Sequence, residues 1–377
     1  MTADVGRILR EVQGGAVARA LLAETLELAD REGILTRVQR LSPFSLPVLC
    51  RVLQAELGYN CGAGNRQRMI GLLLCLLAEY GWVRGTEGAW HWARDGARPA
   101  AEGEALGKLP EDAAARTDDQ YLFLRKCLEA VPHYLRGERP AVTFDDRHAG
   151  AWESFLGCQE FRVCRALLLE LMGVEDRPTF GVLDLCHGPG WGLEAAISQF
   201  PSTAVTALDF TSAFRSRACA RVEAAQARNR LLGRPVTPVA WVGPERWKGF
   251  GHPLPFLDSS FEAVLFTCGD PYVPPSLRPA FYGEIARVLA PTGRLGILTR
   301  CSPDAARRYV RSCWLRMAAL VHDFAESVCE GWEGFPGAEE HMGTLSEAGF
   351  QGGISPGSAM SVLESSLWVL KKRHADD

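Results

Sequence analysis

The sequence predicts an α/β protein in two parts. A mainly helical front half carries a small hairpin, and the back half is built on a parallel sheet with helices on both faces. Apolar residues recur at helical spacing along the front of the chain. From Phe180 onward, short apolar runs alternate with helical stretches, the pattern of β-α-β units. The first of these runs, Val182 to Leu185, ends in a turn with glycine at alternate positions: Gly188, Gly190 and Gly192.

In residues 14–32, Ala18, Leu22, Leu26 and Ala29 share one helical face, and Gly33 follows as a stop. Further helices are expected over 45–57 and 65–80. In WVRGTEGAWHW, two short aromatic strands, near Trp82-Val83 and Ala89 to Trp92, flank a glycine-containing turn and read as a hairpin. Helices followed by a small hairpin suggest a winged-helix-like domain, assigned to 1–95. Residues 94–115, rich in Ala, Gly, Glu and Pro, read as an exposed linker. Helices over 117–136 and 147–173 complete a connecting region, 96–173. The α/β domain then occupies 174–377. Its strands are expected at 180–185, 204–209, 238–242, 261–267 and 293–299, and its helices at 191–200, 211–232 and 275–290; SSLWVLKK supplies a last strand.

Of the 377 residues, 47% are hydrophobic and 23% charged, enough for two cores. A net charge of −4 argues against a nucleic-acid-binding surface. The start, MTADVGRILREV, has no apolar core of a secretory signal. The longest apolar run, MIGLLLCLLA at 69–78, is far shorter than the roughly 20 residues of a membrane span. Twelve cysteines are scattered without a C-x-x-C pair, so reduced thiols in a cytoplasmic protein are expected, with no zinc site and no disulfides.

A strand ending in glycines and opening into a helix is a phosphate or nucleotide site geometry. Here the spacing is G-x-G-x-G, and no Walker lysine follows, which argues against ATP hydrolysis. The next strand, AVTALD, ends in Asp209, 19 residues after Gly190, where an acid can accept both hydroxyls of a ribose. Asp184 within the first strand could hold a cationic amino group or the turn's own amides.

Four segments in order carry a resemblance. VLDLCHGPG is similar to motif I of the class I S-adenosylmethionine-dependent methyltransferases, usually VLDLGCGxG. VTALDF resembles the second motif, LPFLDSSFEAVLF the approach to the fourth strand, and EIARVLAPTGRLGILT the helix-turn-strand that follows. The resemblance covers roughly 180–300 and implies a Rossmann-like seven-stranded methyltransferase domain. The front half resembles, in pattern only, the dimerisation domain of small-molecule O-methyltransferases, which implies a homodimer through the N-terminal domain. Carried onto matching positions, the resemblance implies S-adenosylmethionine as cofactor. Asp184, Cys186, Gly188 and Gly190 would line its methionine end, Asp209 and Phe210 its ribose, Val242 and Gly243 its adenine, and Cys268 and Gly269 its sulfonium.

The chain departs from that family at several positions. Cys186 stands where the first motif glycine usually is, either as a small tolerated residue that narrows the turn or as a nucleophile; methyl transfer needs no nucleophile, which favours the first. His187 either packs against the helix start or serves as a base, and packing is favoured. The acid usual after the third strand is absent from WVGPERWKG. In TCGDPY, Gly269 replaces the histidine base of plant-type O-methyltransferases. The same stretch faintly resembles the [DN]-P-P-[YF] motif of amino methyltransferases, so Asp270 and Tyr272 are the substrate-side candidates, against a plain proline loop.

A sulfonium methyl is already activated, so the enzyme must chiefly hold the acceptor in line and exclude water. Residues 301–341 are long enough for a lid. Tyr309, His322 and Trp332 are candidate substrate contacts, and Trp332, between glycines, a candidate mobile residue; core packing is the alternative. The expected function is methyl transfer to O, S, N or C of a small metabolite. The alternative keeps the fold and cofactor without transfer, as a sensor, cyclase or decarboxylase. A DNA-binding role for the front half is disfavoured, because the third helix turns apolar after Arg66 and Arg68 as if to meet a partner subunit.

Overall fold

The computed structural model describes residues 16–86, 88–93, 118–303, 313–354 and 365–373. It divides into two compact units. Of the described residues, one contains 144–301 together with those from 335 onward; the other contains 16–143 together with those of 302–334. The sequence boundaries 1–95, 96–173 and 174–377 therefore differ from the packing. Residues 302–334 join the helical unit, and the predicted lid at 301–341 is shared between two bodies. Tyr309 and the whole of the expected linker at 94–115 lie outside the described residues.

The helical unit contains α1 (Ala16–Arg31), α2 (Ile34–Leu41), α3 (Leu46–Leu57), α4 (Gly64–Glu79), the antiparallel hairpin β1 (Val83–Thr86) and β2 (Ala89–Trp92), and α5 (Asp119–Leu135). Asp118 caps α5, its carboxylate accepting from the Gln120 N–H at 2.7 Å. The apolar run becomes α4, with Met69, Ile70, Leu72, Leu73, Leu74, Leu76 and Leu77 all buried. The surface expected to meet a partner subunit is covered by the same chain. A later helix, α11 (Cys313–Glu326), packs on α4, α1 and α5 and buries Met317, Leu320, Val321 and Phe324 there. Arg316 forks onto Glu79 at 2.9 and 2.8 Å, which fixes the register of α11 along α4.

The second unit opens with α6 (Ala149–Leu156) and α7 (Gln159–Leu171), where one helix over 147–173 was expected. Then follow β3 (Gly181–Leu185), α8 (Trp191–Gln199), β4 (Ala204–Leu208), α9 (Arg215–Leu231), β5 (Val239–Val242), β6 (Phe261–Thr267), α10 (Arg278–Val288) and β7 (Leu289–Thr299). After the excursion into the helical unit come α12 (Ala338–Glu347), β8 (Phe350–Ile354) and β9 (Ser366–Lys372). The sheet has seven strands in the order β5-β4-β3-β6-β7-β9-β8, parallel up to β7, with β9 antiparallel to both neighbours. Strand β8 was not foreseen: FQGGI has two glycines and no alternation, and its pairing with β9 makes it a strand.

Leu183, Leu185, Val264, Phe266, Leu295 and Ile297 stand in the sheet core, and Phe281, Tyr282 and Ile285 of α10 cover one face. Each large apolar side chain so buried contributes about 1.5–3 kcal/mol. Two of the recognised segments are explained by a single side chain. Arg287, in EIARVL, donates to the carbonyls of Leu254 (2.9 Å) and Phe256 (2.8 Å) and to Asp258 (2.9 Å), all in LPFLD, and to Glu284. These motif residues lock a loop to α10. Among the described residues, no helix is long and apolar enough to cross a membrane.

Candidate functional site

Strand β3 lies between β4 and β6, so the crossovers leave it in opposite directions. The crevice at the carboxyl ends of β3 and β6 is the switch point where open α/β sheets bind ligands. Both strands end in a cysteine held in the left-handed region, Cys186 at φ 58° and Cys268 at φ 59°. The chain leaves β3 by donating the Cys186 and His187 amides to the carbonyl of Leu208 at 2.8 and 3.2 Å, and leaves β6 by donating the Cys268 amide to Leu298 at 2.8 Å. In the turn, Gly190 (φ 88°) lets α9 approach, since a Cβ there would meet Ala218 Cα at 2.8 Å.

Asp184 is 2% exposed, and neither carboxylate oxygen has a hydrogen-bond partner. Its pKa is pushed up to about 7, chiefly by burial. Asp209 adds to the rise; Arg165 opposes it, as does the Leu193 N–H at the head of α8, which stands near Asp184 without a well-formed bond. The turn's amides, one of the two roles open to Asp184 in the sequence, are not its partners.

Asp209 is also buried, but its oxygens are in use. Oδ2 accepts from the Gly188 N–H at 2.9 Å and Oδ1 from the Thr211 N–H at 3.1 Å. Burial raises its pKa, and His187 and these amides oppose the rise. His187 Nδ1 donates to the Gly188 carbonyl at 2.7 Å, and its ring meets Trp241 edge-on at 5.4 Å. The thiol of Cys186, whose residue is only partly covered, lies close to both aspartates, and burial with their charges drives its pKa well up.

Beyond β5, after Val242, the Gly243 N–H donates to Glu245 at 3.0 Å, and a Cβ on Gly243 would lie 2.5 Å from the other Glu245 oxygen. Glu245 thus stands beside Gly243, just beyond the end of this strand. Phe210 packs on Trp247 and Phe250 at 6.0 and 5.6 Å.

At the end of β6, Gly269 is forced by Phe266, whose ring would lie 2.4 Å from a Cβ. Asp270 is wholly buried: it accepts from the Tyr282 hydroxyl and, at 3.5 Å, from Thr299. That makes it a core carboxylate holding α10 to β7, not an exposed catalytic acid. Tyr272 is placed differently. Its ring meets Phe144 at 5.0 Å and Trp152 at 6.2 Å, and Phe144 also meets Trp152, Phe210 and Phe214 at 5.3, 6.1 and 6.3 Å. The Phe144 carbonyl accepts from Thr211 at 3.4 Å, so this aromatic group adjoins the Asp209 turn.

His322 and Trp332 belong to the helical unit. His322 is wholly buried on α11. Trp332 is 4% exposed, and its indole N–H donates to Asp323 Oδ1 at 2.8 Å, which also accepts from Arg68 at 2.7 Å. A pinned indole is not the mobile lid residue expected. His341, in the sheet unit, is buried edge-on to Tyr282 and Trp368, and burial lowers its pKa.

The sequence reading missed Arg165, Phe144, Trp152 and Glu245. Arg165 had a signal: it stands one turn after Phe161 and just before Leu168 and Leu169, on the apolar face of α7, where an arginine needs a reason.

No protein-family profile matches the chain, and no curated protein matches it. Solved structures do. The O-methyltransferase family 2 protein from Planctomyces limnophilus, in complex with apigenin, aligns over 95% of this chain and 94% of its own at 14% identity, with a TM-score of 0.57. An O-methyltransferase family protein from Burkholderia thailandensis aligns over 100% and 99% at 18% identity, with a TM-score of 0.47. At these identities the likeness is one of fold, and the fold is that of the class I methyltransferases.

Proposed function

We propose that this protein is an S-adenosylmethionine-dependent methyltransferase acting on a small-molecule metabolite. The observation that carries the reading is Asp184: a buried carboxylate without hydrogen-bond donors, at the foot of a glycine turn on a switch point. Such a group costs on the order of several kcal/mol unless a ligand completes it. The cofactor's ammonium is a donor of the right charge. Asp209 would meet the ribose with the lone pairs its two amide bonds leave free. Val242 and Gly243 would flank the adenine, and Glu245 supplies the acid beside it. Cys268 and Gly269 would border the sulfonium, whose methyl group is the one transferred.

On the acceptor side, Tyr272, Phe144 and Trp152 favour a flat apolar molecule; the Planctomyces structure is a complex with apigenin. Asp270 is committed to Tyr282, and His187 to Gly188, so neither is free to act as base. In-line positioning and exclusion of water then carry the catalysis. Cys186 favours a second reading, cofactor binding without transfer, because a side chain occupies the turn where glycine is usual. The helices and hairpin of the front unit fit a winged-helix-like arrangement, and a homodimer through that unit would use a face other than α4.

Calorimetric titration with S-adenosylhomocysteine, repeated on Asp209→Ala, tests the cofactor site. Micromolar binding by the wild type, lost in the variant, supports it, and an aromatic acceptor screen then separates transfer from binding alone. A wild type that binds nothing sinks both readings.

A further inference from the structure

The amino half of α9 uses its arginines within the molecule. Arg215 lies over the Trp241 ring at 4.1 Å, and Arg217 and Arg221 pair with Glu153. The carboxyl end is different. From Glu223 to Glu245 the chain holds no other acid. Arg228 reaches Glu194 at 3.6 Å, a carboxylate that Arg221 already holds at 3.1 Å. Arg234 donates to the Ser198 carbonyl at 3.4 Å, and among the described residues Arg230 has no ion-pair partner.

Between these arginines stand Leu231, 88% exposed, and Leu232, 58% exposed. Among the large apolar side chains exposed in the described residues, these two are the ones adjacent in sequence. The covered stripe of α9 is Ala218, Val222, Ala225 and Asn229, so the helix end overhangs the surface it packs on. The overhang has a fixed backbone. The Leu232 N–H donates to Arg228 and the Gly233 N–H to Arg230, both at 3.1 Å, and the Arg234 N–H to Asn229 at 2.9 Å, with Gly233 at φ 65°. Because α9 joins the parallel strands β4 and β5, this tip stands at their amino ends, away from the crevice.

Two neighbouring leucines among arginines match a partner that is apolar within and anionic at its surface. A second copy docked tip to tip would set arginine against arginine. A lipid surface with acidic headgroups satisfies both halves: acyl chains take the leucines, and phosphates take the guanidinium forks. We propose that the carboxyl end of α9 docks on an anionic lipid surface, with Leu231 and Leu232 inserted and Arg228, Arg230 and Arg234 on the headgroups. This site is independent of the cofactor reading.

The test is vesicle flotation of the full chain, with phosphatidylcholine alone and with phosphatidylcholine mixed with phosphatidylglycerol. The wild type should float with the anionic vesicles, less so as salt is raised, and stay behind with the neutral ones. Leu231→Ser with Leu232→Ser should lower binding at least about tenfold, and Arg230→Glu about 10- to 30-fold. These side chains face solvent, so an unchanged urea midpoint reports an intact fold. No binding to either vesicle, equal binding to both, or variants that bind like the wild type would overturn the proposal. Binding to polyglutamate without binding to vesicles would assign the tip to an acidic protein surface instead. A dimer in sedimentation velocity that the double serine variant breaks would assign it to a second copy; either result overturns the lipid site.

Discussion

Gly192 lies directly against the carboxylate of Asp184: a Cβ on the glycine would stand 2.5 Å from Oδ2 and 2.8 Å from Oδ1. The third glycine of the turn is therefore there for a side chain beneath it, not for the conformation of its own backbone. Gly192→Ala must push Asp184 aside or lift the start of α8. A loss of about 1–3 kcal/mol in urea unfolding is expected, with S-adenosylhomocysteine affinity falling at least about tenfold. Wild-type affinity in this variant would show that the position of Asp184 does not matter for the ligand.

Asp184 should also shape the pH dependence of stability. Its folded pKa of about 7 lies above the 3.8 of an ordinary aspartate, so the folded state holds the proton more tightly than the unfolded chain. This group's penalty is absent below about pH 4, grows as pH rises, and is complete above about pH 7. Asp184→Asn should be the more stable protein at pH 8, by on the order of 2–4 kcal/mol, and should lose most of the downward slope between pH 4 and 7. Asp209, raised in the same direction, leaves a smaller slope behind. Parallel pH profiles of denaturant midpoint for the two proteins would contradict this.

Cys186 carries a side chain in a left-handed conformation that disfavours it by roughly 1–2 kcal/mol. Glycine relieves that strain but adds freedom to the unfolded chain, worth about 0.4–1 kcal/mol. Cys186→Gly is expected to gain up to about 1 kcal/mol and to bind S-adenosylhomocysteine at least as well as the wild type. Cys186→Val, with a branched Cβ, should be the least stable of the three. A glycine variant that binds worse would show the thiol to be part of the ligand contact.

In the helical unit, Asp323 accepts from both Arg68 and Trp332. Asp323→Asn weakens both bonds, and Asp323→Leu removes this acceptor from the buried Trp332 indole and from the half-buried Arg68 guanidinium. The leucine variant should cost about 2–4 kcal/mol and speed hydrogen exchange in α11, with S-adenosylhomocysteine affinity unchanged. A change in affinity without a change in stability would return Trp332 to a role in binding.

Much of the sheet unit was legible in the chain because its determinants are local. β3 to β7 are apolar runs of strand length, and the glycine turn and Asp209 stand at spacings that only a strand-turn-helix accounts for. β8 was not legible, because FQGGI has no propensity of its own and exists by pairing with β9. The break between α6 and α7 falls at Gly157, where a Cβ would lie 2.3 Å from the Trp191 ring, a contact made across more than thirty positions of sequence. Asp270 looked like a substrate residue because it follows a strand end; its commitment to Tyr282 on α10 is invisible until the helix is packed.

The sequence by itself determined the order of the sheet unit's main elements and the switch-point turn, since propensity, periodicity and glycine placement act over neighbouring residues. Only the tertiary structure decided which side chains are free to use that site. It placed residues 302–334 in the helical unit and covered α4 with α11, and set Asp209 and His187 to holding the turn. Those outcomes depend on burial and on contacts between distant segments, and the free energy of a buried charge is set by what packing brings near it, which no run of neighbouring residues specifies.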